Sequence, residues 1–228
     1  MILLVIVALL ALLVYAPSFW VRHVMRRYSR EIPELPGTGG ELARHLIQRF
    51  DLDGIDVEET DPLRDHFDPR APAVRLSPDN FNGKSLTAVA VASHEVGHAI
   101  QFHRQERIFQ LRKRYLPTAN ALGQAGIGLM LALPILAIIM RSPAALGLMI
   151  GLSVLLQLAG ALTYLIVLPE EWDASFNKAL PILVEGGYVT KAQLPAVRKI
   201  LKAAALTYFA GALANMLNIG RWLLILRR

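Results

Sequence analysis

Long uncharged stretches set the strongest limit on how this chain can fold. Residues 2–21, 118–140 and 143–168 contain no Asp, Glu, Lys or Arg, and each is long enough to cross a hydrocarbon layer of about 30 Å as a helix. A bilayer offers no water to a bare backbone, so segments of this kind must satisfy their own hydrogen bonds as helices. Hydrophobic residues make up 54% of the 228 and charged residues 18%, too apolar a balance for an ordinary soluble domain. The expected class is mainly α and integral to a membrane, with three to four transmembrane helices. The absence of Cys excludes a disulfide framework, a thiolate metal ligand and a cysteine nucleophile, leaving His and carboxylates for any metal site. The formal net charge of +6 lies largely beside the apolar stretches. No basic patch interleaved with aromatic residues points to nucleic acid as a partner.

The stretches divide the chain. Residues 1–21 read as an N-terminal anchor. Arg22, Arg26, Arg27 and Arg30 follow it and nothing basic precedes it, the reverse of a cleaved signal peptide, and this places its far end on the cytoplasmic side. Residues 22–117 have the composition of a cytoplasmic region. Thr38 or Gly39 opens a short helix through ELARHLIQRF, and a Pro/Asp/Gly-rich insertion contains two extended segments, near Ile55–Val57 and Val74–Leu76, giving a small α+β element. Ser85 is the expected N-cap of a helix over about 86–104. Residues 118–168 form a transmembrane hairpin with a short outer turn at Arg141, Ser142 and Pro143. Residues 169–202 return to the cytoplasmic side. The last apolar segment, 203–228, carries Asn215, Asn218 and Arg221, and reads either as a fourth span or as a helix lying in the interface.

Within the 86–104 helix, His94, Glu95, Val96, Gly97 and His98 form an H-E-x-x-H pattern. Residues four apart share a helix face, so both imidazoles can bind one ion, while Glu95 reaches a water on that ion. This is the equipment for peptide hydrolysis by zinc-activated water with Glu95 as general base. The flanking LTAVAVAS and AIQ half-bury the histidines, which then need partners. Gly97 costs the helix about 1 kcal/mol, a penalty that makes sense where the backbone must approach another element closely.

A catalytic zinc commonly has three protein ligands. His103, five residues past His98, is rotated off the ligand face. The segment PEEWDASFNKAL offers Glu170, Glu171 and Asp173, and a hairpin that crosses out and back returns residue 169 to the membrane face where residue 98 sits. The competing reading of these acids is a negative first helical turn after Pro169 that complements the helix dipole. His23, His45 and His66 have no partner at ligand spacing and read as structural. Ala73–Ser77 has the composition of an extended edge on which a substrate strand could pair.

ASHEVGHAIQ, preceded by DHFDPRAPAVRLSP and followed by a hairpin ending in LPEEWDAS, resembles the YugP-type bacterial membrane zinc metallopeptidases. The likeness runs from the anchor and TGGELARHLI to the final apolar segment. It implies a membrane-bound zinc endopeptidase with a zincin-like (gluzincin) catalytic helix pair, Zn2+ on His94 and His98, and Glu95 as catalytic base. It favours Glu171 over Glu170 as third ligand, through the family's L-P-x-E-aromatic-(Asp/Asn)-Ala-Ser pattern. The implied partners are polypeptide substrates, including membrane proteins, and the lipid bilayer. The implied location is a bacterial cell membrane, with the protein multi-pass and its site cytoplasmic. HtpX-type membrane proteases are more distantly similar, and against them the order Asp173-Ala174 is reversed. A catalytically silent zinc scaffold would have no use for Glu95. A metal transporter would place its ligands at mid-span rather than at the membrane face.

Overall fold

The computed structural model describes residues 2–140 and 142–216; helix accounts for 71%, which fixes the class as mainly α. Residues 217–228, with Asn218 and Arg221 of the last apolar segment, lie outside the described residues. The described residues divide into two compact units, residues 20–110 with 169–207, and residues 2–19 with 111–140, 142–168 and 208–216.

The first of these units is organised around one buried helix. Helix α1 (Ile2–Arg27) ends inside it, and Thr87 fixes that end by donating its hydroxyl to the Met25 carbonyl at 2.9 Å. Helix α2 (Gly39–Arg49) begins with a reciprocal capping box: Thr38 Oγ1 accepts from the Glu41 amide and Glu41 Oε2 accepts from the Thr38 amide. This satisfies two donors that every helix start leaves open. Three short strands follow: β1 (Asp56–Glu59), β2 (His66–Asp68) and β3 (Ala73–Leu76). They form a sheet of order β1-β3-β2, parallel between β1 and β3 and antiparallel between β2 and β3. The segment Ala73–Leu76 is therefore the central strand, and both its edges are already paired. That removes it as the extended edge for a substrate. The sequence shows no alternation at β2, which is held by Phe67 packing on Phe102 and Phe109 at ring separations of 5.3 and 6.3 Å. Arg75 on β3 ties the strands together through Glu58 of β1 and Asp68 of β2.

A short helix α3 (Pro78–Phe81) leads to α4 (Leu86–His103), capped by Ser85 Oγ, which accepts from the Ala88 amide. Every α4 residue from Leu86 to Gln101 is buried, the signature of a helix wrapped on all sides rather than amphipathic at a surface. Helix α2, the sheet and the segments after residue 169 surround it. A 3₁₀ turn (Arg107–Phe109) closes this part of the chain.

The second unit contains most of a helical hairpin, α5 (Gln110–Met140) and α6 (Pro143–Trp172). Both helices are long and apolar enough to cross a membrane. They meet through small residues. A Cβ on Gly160 would lie 2.8 Å from the Ala119 carbonyl oxygen, one on Gly126 would lie 2.7 Å from the Ser153 carbonyl oxygen, and Ser153 Oγ donates to the Gly126 carbonyl at 2.7 Å. Close backbone approach with a hydroxyl bridge is how helices associate where the solvent is as apolar as they are. The outer surface exposes Leu131, Ile135, Ile139, Leu148, Leu155 and Leu162.

Helix α6 does not stop at Leu168, where the sequence suggests that a new acidic helix starts. It runs through Pro169 to Trp172, continues as a π-helical segment (Asp173–Ala179), and passes into α7 (Leu180–Glu185). Pro169 removes one ladder hydrogen bond, which a long helix tolerates when the turns on both sides are packed. Helix α8 (Leu194–Met216) follows.

Candidate metal centre

Glu170 and Glu171 thus lie within a continuous helical run, without the exposed amide terminus that an acid-and-dipole pairing requires. Both are buried, at 0% and 1% relative exposure. Carboxylates are not removed from water without a counter-charge or donors, so their partners define the site.

The buried α4 supplies those partners. His94 and His98 stand on one face with rings edge to face, centroids 4.8 Å apart. His94 Nε2 lies 3.3 Å from Glu171 Oε2, and His98 Nε2 lies 3.2 Å from the same oxygen. One ligand atom from each of the three residues falls within 4.8 Å of the others. Zinc bonds of about 2.0–2.1 Å in tetrahedral array put neighbouring ligand atoms about 3.3–3.4 Å apart, so the two measured distances match the edges of a zinc tetrahedron. The donor set, two imidazoles and a carboxylate, fits zinc chemically as well.

Of the sequence candidates, His94, His98 and Glu171 come together. Glu170 lies on the other side of the His98 ring, with Oε1 3.6 Å from Nδ1. His103 is exposed at the end of α4, and His45 pairs with the Tyr188 hydroxyl at 2.7 Å. His66 Nδ1 meets the Arg64 carbonyl at 2.6 Å, and His23 is exposed. Glu95 is buried on α4 between the two histidines. Asp173 touches neither histidine; it accepts from Gln101 Nε2 at 2.8 Å, from Asn177 at 2.8 Å and from Lys178. Burial alone would raise the Asp173 carboxyl, but these donors, led by Lys178, outweigh it and hold its pKa below the usual value. Lys178 is also paired with Glu106 at 2.8 Å.

Gly97 lets these elements meet. A Cβ there would lie 2.7 Å from the Ala174 carbonyl oxygen in the π-helical segment, the close approach that a costly glycine in mid-helix suggests. Two residues of the site give no sign in the H-E-x-x-H pattern. Gln101 Oε1 meets His98 Nδ1 at 2.9 Å, and Ser175 Oγ meets His94 Nδ1 at 2.9 Å. Their spacing could have revealed them, since Gln101 is three residues past a ligand and Ser175 four past another, both same-face intervals.

Residues 1–227 match the family described as "Putative neutral zinc metallopeptidase". The chain belongs to this zinc peptidase family. The chain is also 35% identical over 216 residues to a Bacillus subtilis (strain 168) protein named "Putative membrane protease YugP", covering 91% of each chain. No solved structure matches it. Family and geometry agree on the metal: buried His94, His98 and Glu171 are placed to hold zinc.

Proposed function

We propose that the chain is a membrane-bound zinc endopeptidase. The observation that carries this reading is the buried convergence of His94, His98 and Glu171 on one point, with Glu95 between the two histidines on the same helix. Bound zinc supplies Lewis acidity, making a water more acidic and polarising a scissile carbonyl. Glu95 takes the proton of the attacking water and passes it to the departing amine, the role a carboxylate beside a metal-bound water fills. His94, His98 and Glu171 hold the ion, and the near-complete burial of α4 keeps bulk water from competing for it. Helices α4 and α6, with the π-helical segment, form the zincin-like pair of gluzincin type.

Support for the membrane comes from α5 and α6, which are long and apolar enough to cross a bilayer, from the uncharged run 2–21, and from the outward aliphatic surface of the hairpin. The relative from Bacillus subtilis is itself named a membrane protease. Arg22, Arg26, Arg27 and Arg30 after the first run, with Arg112, Lys113 and Arg114 before the second, support a cytoplasmic side for the catalytic residues at a bacterial cell membrane, since basic residues are retained there. Substrates are polypeptides, including exposed segments of membrane proteins.

The test uses the full chain in detergent, loaded with zinc and given casein or a peptide library. Wild type cleaves. Glu95→Gln retains stoichiometric zinc and loses cleavage by about 10²–10⁴-fold. Full activity in that variant removes Glu95 from the reaction, and a wild type unable to take up zinc removes the reading.

A further inference from the structure

We propose that Gln101 and Ser175 are positioning residues that determine which nitrogen of each histidine faces the metal. The proposal rests on the metal site described above and deepens it.

Each assignment follows from counting hydrogens. Ser175 Oγ is 3.0 Å from the Leu201 carbonyl oxygen. A carbonyl can only accept, so that bond uses the hydroxyl's one hydrogen. Toward His94 Nδ1, 2.9 Å away, the hydroxyl can then only accept, and Nδ1 carries the proton. Gln101 reaches the same result differently. Its Nε2 lies 3.0 Å from the Glu170 backbone oxygen and 2.8 Å from Asp173 Oδ2, two acceptors that use both amide hydrogens. Reversing the amide would set its oxygen against both, so Oε1 must face His98 Nδ1, and that nitrogen also donates.

In its neutral form each imidazole therefore turns an unprotonated Nε2 toward Glu171 Oε2, at 3.3 and 3.2 Å. Three acceptors so arranged form a donor set that a metal cation would bind. Residues that orient a ligand's second nitrogen commonly affect metal affinity by about 10–100-fold. The two devices also differ in reach. The His94 device ends at a backbone carbonyl of α8. The His98 device continues from Gln101 through Asp173 to Lys178 and Glu106, so the loop after α4 and the π-helical segment both bear on the orientation of His98.

The experiment measures zinc affinity by chelator competition, and the visible spectrum of the Co2+-substituted protein, on the full chain in detergent. Ser175→Ala and Gln101→Met each remove the hydrogen-bonded acceptor at Nδ1, Glu170 Oε1 at 3.6 Å lying beyond hydrogen-bond distance of His98, and are expected to weaken zinc about 10–100-fold and to alter the Co2+ bands. Gln101→Glu separates positioning from general packing. It keeps an acceptor at His98 while losing both donated bonds, so it is expected to bind zinc more tightly than Gln101→Met. A merely structural role predicts the opposite order, because Gln101→Glu sets a carboxylate against Asp173. Wild-type affinity within twofold in both Gln101→Met and Ser175→Ala, or weaker binding by Gln101→Glu than by Gln101→Met, overturns the proposal while leaving the metal site intact. If one of the apolar variants fails to fold, the others still decide it. A wild type that binds no zinc overturns both readings.

Discussion

Gly97→Ala tests whether the metal geometry depends on how closely α4 approaches the π-helical segment. The added Cβ would lie 2.7 Å from the Ala174 carbonyl oxygen and 3.2 Å from the Ala174 carbonyl carbon and Cα. Ordinary contact begins near 3.4 Å, so the overlap is about 0.7 Å and its partner is backbone, which cannot rotate away. Overpacking of this kind costs about 1–3 kcal/mol, whereas Ala in place of Gly returns about 1 kcal/mol of helix propensity. The expected loss of folding stability is thus about 0–2 kcal/mol. The metal should register more. His94 and His98 ride on α4 and Glu171 precedes the π-helical segment, so relieving the clash by even about 0.5 Å exceeds the tolerance of about 0.2 Å in a zinc bond. Zinc affinity should fall about 10–100-fold, equivalent to about 1.4–2.8 kcal/mol. Chelator competition on the detergent-solubilised protein reads the affinity, and thermal melting of the metal-free form reads the fold. Zinc affinity within twofold of wild type, with a metal-free form that melts normally, would show that the close approach does not set the ligand geometry.

Glu171→Gln replaces the shared carboxylate with a neutral amide, and zinc affinity should drop by at least about 100-fold. In wild type, zinc at about 100 times its Kd should add about 2.7 kcal/mol of stability. Melting with and without chelator should show that increment in wild type and lose it in the variant. Asp68 gives a pH prediction away from the metal. The Arg70 amide, followed by Arg75, lowers its pKa below 3.8. A depressed carboxyl adds stability that is fully present above the unfolded value and disappears as pH falls through the folded one. Wild type should therefore exceed Asp68→Asn by a constant amount above about pH 5, and the gap should close below pH 3.8. A gap that widens on acidification would contradict the sign.

What could be read from the sequence was whatever a local rule determines. The caps at Thr38 and Ser85, the helix bearing His94 and His98, and the demand for a close neighbour at Gly97 depend on residues within a turn or two of one another. Strand β2 was not legible. Three residues cannot show alternation, and His66–Asp68 is extended because Phe67 packs on Phe102 and Phe109, 35 and 42 positions later. The same reasoning accounts for Ala73–Leu76, whose composition marks a strand but not whether its neighbours leave it an edge. At the metal site, spacing identified the histidines, while the choice of Glu171 over Glu170 came from family resemblance. Adjacent helical residues point about 100° apart, and only the packing of α6 against α4 shows which of the two meets the Nε2 atoms.

That packing depends on where the helix departs from regular winding. Pro169 removes a ladder bond immediately before the two acids, and the π-helical winding begins at Asp173, immediately after Trp172. The acid pair is therefore flanked on both sides by backbone that does not follow the α-helical ladder. A π turn closes its ring through i→i+5 bonds and so turns the chain less per residue than α winding does. It resets the facing of everything that follows. Ser175 and Asp173 lie within that segment, and both reach the metal ligands, Ser175 directly through His94 and Asp173 through Gln101. A regular α-helix would rotate Ser175 relative to Glu171 by a fixed 40°. The wider winding adjusts that angle so that one element delivers a ligand to the metal and a hydrogen-bond acceptor to the far side of a ligating ring.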